Sequence, residues 1–98
     1  MGEIEYLFEW DENKNKINML KHGVSFTEAQ TVFDDPNGLY FPDEEHSIEE
    51  DRFKLIGYSE KYRVLFVCYC YRNVDRIRLI SARRATRAET NLYNSQGV

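Results

Sequence analysis

The stretch RVLFVCYCYR (63–72) is apolar on both sides of an extended chain. A strand with water on one face alternates apolar with polar, so this one reads as the central strand of a sheet covered on two sides. RFKLIGYS (52–59) precedes it, with Phe53 and Leu55 alternating against Arg52 and Lys54. Only the short Glu60-Lys61 connection intervenes, which reads as a hairpin. NVD (73–75) turns the chain after it, and RIRLISAR (76–83) returns as the next strand. LYF (39–41), between the turn signal PNG (36–38) and Pro42, is a further short strand, and FEWD (8–11) another.

The helices announce themselves at their ends. Asp11 caps a helix through ENKNKINMLKH, with Ile17 and Leu20 on one side, and Gly23 ends it as the residue free to turn left-handed. SFTE (25–28) is a capping box, Ser25 at the cap and Glu28 three residues on. The helix it opens carries Phe26, Ala29, Val32 and Phe33 inward and stops at Asp34-Asp35-Pro36. TRAE (86–89) is a second capping box and opens the last helix, which carries Leu92 and Tyr93. The expected fold is therefore α+β: a small antiparallel meander with two N-terminal helices and one C-terminal helix packed against it.

Ninety-eight residues suit one core and not two, so residues 1–98 read as a single domain. The apolar runs are far too short to span a membrane. The opening MGEIEYLFEW has no basic residue, as a secretory signal would, and Tyr6 stands where N-myristoylation wants Ser or Thr. A cytoplasmic protein is expected. Cys68 and Cys70, two apart on one strand face, are poorly placed for a disulfide and read as small buried side chains. His22 and His46 stand in no metal-ligand spacing with them, so neither a metal site nor a cofactor is expected.

Net charge is −4, but it is unevenly spread. Residues 1–60 hold fifteen acidic and five basic side chains, residues 61–98 two acidic and eight basic. A polyanion responds to the local patch rather than to the total. Five of the arginines fall in RIRLISARRATRAE (76–89). Period two puts Arg83 on the face of apolar Ile77 and Leu79, where a buried guanidinium demands a partner. Arg63 opens the neighbouring strand and, in the right register, would form a fork-shaped phosphate clamp with Arg83. For Arg76, Arg78 and Arg84 the plain reading is solvated surface. Glu89 could serve as a general base, but its place in the capping box gives it a structural task. His46 stands among carboxylates, placed either to exchange a proton or simply to be solvated. Lys21 and His22 end the first helix, where positive charge suits the negative end of the dipole.

FEWDENKNKINMLKHGVSFTEAQTVFDD (8–35), DEEHSIEEDRFKLIGYS (43–59) and RIRLISARRATRAE (76–89) together make the sequence resemble the BrnT family, ribonuclease toxins of bacterial type II toxin–antitoxin pairs. ISARRAT followed by an acidic residue and a tyrosine is the most specific part. The resemblance implies a RelE-like fold, with helices on one side of an antiparallel sheet. It implies RNA cleavage without a metal, arrest of translation, and neutralisation by a BrnA antitoxin through which alone the complex meets DNA. The family motif carries over to Arg52 and Arg83 and, more loosely, to His46; Arg63 follows by position. These four are the candidate catalytic residues, and Lys21, His22, Arg78, Arg84 and Tyr93 the candidate RNA contacts.

Metal-free cleavage uses the substrate's own 2′-hydroxyl on the adjacent phosphate. The protein must loosen that proton, neutralise the crowded phosphate and protonate the leaving 5′-oxygen. Arginine suits the second task, and His46 or Tyr93 the proton transfers. Bases could stack on Tyr69 or Tyr71, though core packing is the plainer role for both. The rival reading is a non-catalytic module whose basic half docks nucleic acid or an acidic protein.

Overall fold

In a computed structural model of the chain, which describes residues 5–46 and 50–96, β4 (Val64–Asn73) is the central strand of a five-stranded sheet. It lies between β3 (Arg52–Tyr58) and β5 (Arg76–Arg84), antiparallel to both. β2 (Leu39–Pro42) pairs antiparallel with β3. β1 (Leu7–Glu9) lies on the far edge of β5 and runs parallel to it, Leu7 opposite Arg76 and Glu9 opposite Arg78. The sheet is therefore mixed, which corrects the expectation of a purely antiparallel meander. β1 has no hairpin to set its direction. It is joined to β5 through the rest of the chain, and the Leu7 amide donating to the Asp75 carbonyl at 2.8 Å locks it onto the open edge. The start of the chain and residues 47–49, where the N-terminal readings and part of the acidic loop fall, lie outside the described residues.

α1 (Glu12–His22) and α2 (Phe26–Thr31) cover one face of the sheet. Asp11 caps α1 by accepting from the amides of Asn13 and Lys14, and Gly23 closes it with φ 69°. Val24, Phe26, Ala29 and Val32 are fully buried against Leu55, Leu65, Val67, Ile77 and Leu79. Each of these side chains larger than Ala29 contributes roughly 1.5–3 kcal/mol. No helix among the described residues is long and apolar enough to cross a membrane.

α1 does not bury its apolar residues. Ile17 and Leu20 stay 60% and 90% exposed, and the inward positions are Asn15 and Asn18. The reason is the edge of β5, which β1 covers only as far as Arg78. Beyond it, Asn18 takes the place of a strand: its amide nitrogen donates to the Ala82 carbonyl at 2.6 Å, and its amide oxygen accepts the Ala82 N–H at 3.2 Å. The same nitrogen also donates to the Val24 carbonyl at 2.8 Å. Asn15 accepts the Phe26 amide at 2.8 Å. Asn18→Leu, which fills similar space but leaves these backbone groups unpaired, is expected to cost about 2 kcal/mol, measured by urea unfolding.

α3 (Arg87–Ser95) lies on the other face, so the helices are not all on one side. Its capping box is complete: Thr86 accepts from the Glu89 amide, and Glu89 from the Thr86 amide. Tyr93 packs edge-on against Tyr58 at 5.5 Å and donates its hydroxyl to Asp35 at 2.5 Å. Burial pushes the Asp35 carboxyl up, but hydrogen bonds from Tyr93 and from the Tyr58 and Asn37 amides outweigh it and hold the group below its ordinary value. A lowered carboxyl adds stability that is complete above the unfolded value of about 3.8 and disappears as pH falls through the folded one. Tyr93→Phe is expected to lose about 1 kcal/mol at neutral pH, with the difference from wild type shrinking in acid. Thermal unfolding at neutral and acid pH measures both.

The pairing of β4 with β5 shifts by one residue: Cys68 faces Ser81, but Tyr69 faces Leu79, leaving Ile80 as an extra residue in a bulge. Every side chain beyond it changes face. Ile77, Leu79 and Ala82 all join the core under α1 and α2, while Ser81 and Arg83 turn to the opposite face. This overturns the placement of Arg83 beside Ile77 and Leu79.

Candidate functional site

The face away from α1 and α2 carries Arg52 and Lys54 from β3, Phe66, Cys68 and Cys70 from β4, and Ser81 and Arg83 from β5. Arg83 lies opposite Phe66 with its guanidinium carbon 4.2 Å from the ring centroid. Its two terminal nitrogens donate to the two oxygens of Glu89, at 2.8 and 2.9 Å. Glu89 thus does two jobs, capping α3 and fixing the plane of Arg83. The Arg83 hydrogen bond, with help from Thr86, overcomes the effect of burial and holds the Glu89 carboxyl below its ordinary value.

Lys54 approaches the same ring from the other side of β4, its Nζ 5.9 Å from the Phe66 centroid. That ammonium also stands 3.7 Å from Asp43 Oδ1. Asp43 is buried at the end of β2, with both carboxylate oxygens within 3.1 Å of His46 Nδ1. Burial pushes its carboxyl up; His46 and Lys54 prevail and hold it down. His46 itself is exposed, on the 3₁₀ turn Glu44–His46. Arg52 borders an open recess of about 400 Å³ lined also by Pro42, Glu44, Asp51 and Phe53. Cys68, opposite both Lys54 and Ser81, has its thiol pushed up by burial, which outweighs the pull of Ser81 and the cations. The half-buried thiol fills space between Lys54 and Ser81.

Arg63 is not part of this face. It shares the side of Leu65 and Val67 and points under the helices, where Nε donates to Glu28 Oε2 at 3.0 Å and Nη2 to both Glu28 Oε1 and the Gly23 carbonyl. Glu28 is 1% exposed and also accepts from the Ser59 hydroxyl at 2.7 Å. This carboxylate was expected to close the Ser25 capping box; only the Ser25 half forms. The clamp of Arg63 with Arg83 is therefore corrected: each guanidinium has its own carboxylate, on opposite faces of the sheet.

Of the remaining candidates, Arg78 pairs with Glu9 at 3.3 Å, and Tyr93 is 7% exposed with its hydroxyl on Asp35. Lys21, His22 and Arg84 are exposed. Tyr69 is core, at 2% exposure, whereas Tyr71 is 44% exposed among other rings. Sequence reasoning passed over Lys54, Phe66 and Asp43. The alternation of Arg52 with Lys54 was the available signal for the first. Nothing local marks the other two.

A family model described as "Ribonuclease toxin, BrnT, of type II toxin-antitoxin system" matches residues 10–89. Comparison with curated proteins gives no match. The fold is similar to that of the Brucella abortus ribonuclease toxin BrnT, known from a 1.1 Å crystal structure. The TM-score is 0.64 at 24% identity, over 82% of this chain and 96% of that one. The family match runs from Trp10, just before α1, to Glu89, which holds Arg83, and so takes in the whole cationic face; the chain belongs to the BrnT family of ribonuclease toxins of type II toxin–antitoxin systems.

Proposed function

We propose that this chain, as one RelE-like domain over residues 1–98, is a metal-independent endoribonuclease that arrests translation in the cytoplasm until a BrnA-type antitoxin covers it. DNA is met only through that antitoxin. The observation that carries the reading is the pair of cations converging on one aromatic ring, Arg83 at 4.2 Å and Lys54 at 5.9 Å from Phe66. A guanidinium held over a ring and gripped by both oxygens of Glu89 is oriented before any substrate arrives, which is what stabilising a developing phosphorane charge requires.

In the proposed reaction the 2′-hydroxyl passes its proton to solvent water as its oxygen attacks phosphorus and the P–O5′ bond breaks, leaving a 2′,3′-cyclic phosphate and a 5′-hydroxyl. Arg83 and Lys54 take the charge on the non-bridging oxygens, and Arg52 holds the neighbouring phosphate. His46, with Nδ1 on Asp43, keeps Nε2 for the proton given to the 5′-oxygen. Arg63 supports the site only from beneath the sheet, through Glu28. Lys21, His22, Arg78 and Arg84 are proposed RNA contacts, with Tyr93 fixing α3 behind them.

Expression of the chain alone is expected to degrade cellular RNA, and co-expression with its antitoxin to spare it. With purified protein, cleavage is expected to persist in EDTA and to leave cyclic-phosphate ends. Loss of activity in EDTA, or 5′-phosphate products, would refute the metal-free mechanism.

A further inference from the structure

Hydrogen bonds draw one end of the sheet together. The Arg63 guanidinium donates to Gly23, so the hairpin carrying Lys61 and Tyr62 lies beside the end of α1, which carries Lys21 and His22. The Ala85 amide donates to the Val64 carbonyl and Arg84 faces Leu65, which brings the end of β5 and the start of α3 to the same place. Lys21, His22, Lys61, Arg84 and Arg87 are exposed there, and none forms an ion pair among the described residues. Tyr62 stands among them 88% exposed. Its φ is 59°, a left-handed conformation that tyrosine seldom adopts, and its amide donates to the Ser59 carbonyl in the turn that holds it there.

We infer that this end is a landing site for single-stranded RNA, with a base stacked on Tyr62 and phosphates on Lys61, Arg84 and Arg87, leading the strand to Arg83. The inference rests on the ribonuclease reading and names where its substrate enters. Four observations favour a nucleic-acid strand over a protein partner. Among the described residues none of these cations forms an ion pair, where most of the other cations do. The ring offered is a flat π-face of the kind on which any base stacks. Arg87 opens α3, the helix whose Glu89 grips Arg83, so the patch borders the candidate site. The first sixty residues, with fifteen acidic side chains, repel a polyanion from much of the remaining surface.

The test is fluorescence anisotropy with a labelled single-stranded 2′-O-methyl oligouridine, which lacks the nucleophile and so reports binding apart from cleavage. Tyr62→Ala is expected to weaken binding by about 5- to 100-fold and Tyr62→Phe to preserve it. The triple variant Lys61→Ala, Arg84→Ala, Arg87→Ala is expected to flatten the dependence of log K on log salt by about 2, from roughly 0.7 per phosphate contact on a single strand. All four side chains are exposed, so the variants fold. Unchanged affinity and salt slope would overturn the inference, as would loss of antitoxin co-purification with RNA binding intact. Intact binding with no cleavage of ordinary RNA would instead count against the ribonuclease reading alone.

Discussion

Alanine in place of Glu28 is expected to lower the unfolding free energy by about 3–5 kcal/mol, the largest stability loss of any single change considered. Glu28 is 1% exposed, and its removal strands the Arg63 guanidinium, only a quarter exposed, under the helices without a counter-charge. It also takes the acceptor from the Ser59 hydroxyl. The charge pair itself is a different matter: desolvating two ions offsets much of their attraction, so Glu28→Leu combined with Arg63→Met is expected to recover most of the loss. Urea unfolding of the two single variants and the double variant measures the coupling. If the single changes were additive, the ion pair would not be a unit.

The pH dependence follows from the same contacts. Burial pushes the Glu28 carboxyl up, but hydrogen bonds from Arg63 and Ser59 prevail and hold it below its ordinary value. Its contribution is therefore complete above the unfolded value of about 4.5 and is lost as pH falls through the lower folded one. Wild type should converge on Glu28→Ala in acid, and a gap that widened there would reverse the assignment.

Arg83→Ala is expected to reduce RNA cleavage by about 10²- to 10³-fold while the protein stays folded. The side chain is partly exposed and its main partners, Glu89 and the Phe66 ring, remain in place when it is cut back. Lysine should restore little, because a single ammonium lacks the planar fork that lets Arg83 meet both Glu89 oxygens through two nitrogens. The readouts are single-turnover cleavage, growth arrest on expression, and antitoxin co-purification. Full cleavage by the alanine variant would remove Arg83 from the chemistry and leave a binding role. Antitoxin binding retained with cleavage lost separates the active site from the neutralising contact.

Local signals carried the elements well. Asp11 and Gly23 bracket α1 as their chemistry dictates, since a cap is satisfied within four residues of itself. The Thr86–Glu89 box is complete for the same reason, whereas Ser25–Glu28 is half-formed because the Arg63 guanidinium, just ahead of β4, outbids the backbone amide for the carboxylate. The apolar pattern of 63–72 correctly placed β4 at the centre, since both of its faces had to be covered. Outward-facing Ile17 and Leu20 went unread because Asn18, between them, serves the edge of β5, far away in sequence.

By itself, then, the sequence determined the α+β class, the order of nearly every element, both ends of α1 and the start of α3, which rest on local patterning, and the family, which rests on motifs spread from residue 8 to residue 89. The tertiary structure alone decided the parallel course of β1, the turning of Arg83 across the bulge at Ile80, and its separation from Arg63. Alternation counts residues along one strand, but the face a residue takes depends on its register with a neighbour. One extra residue in that register moves a guanidinium from the core to the candidate site.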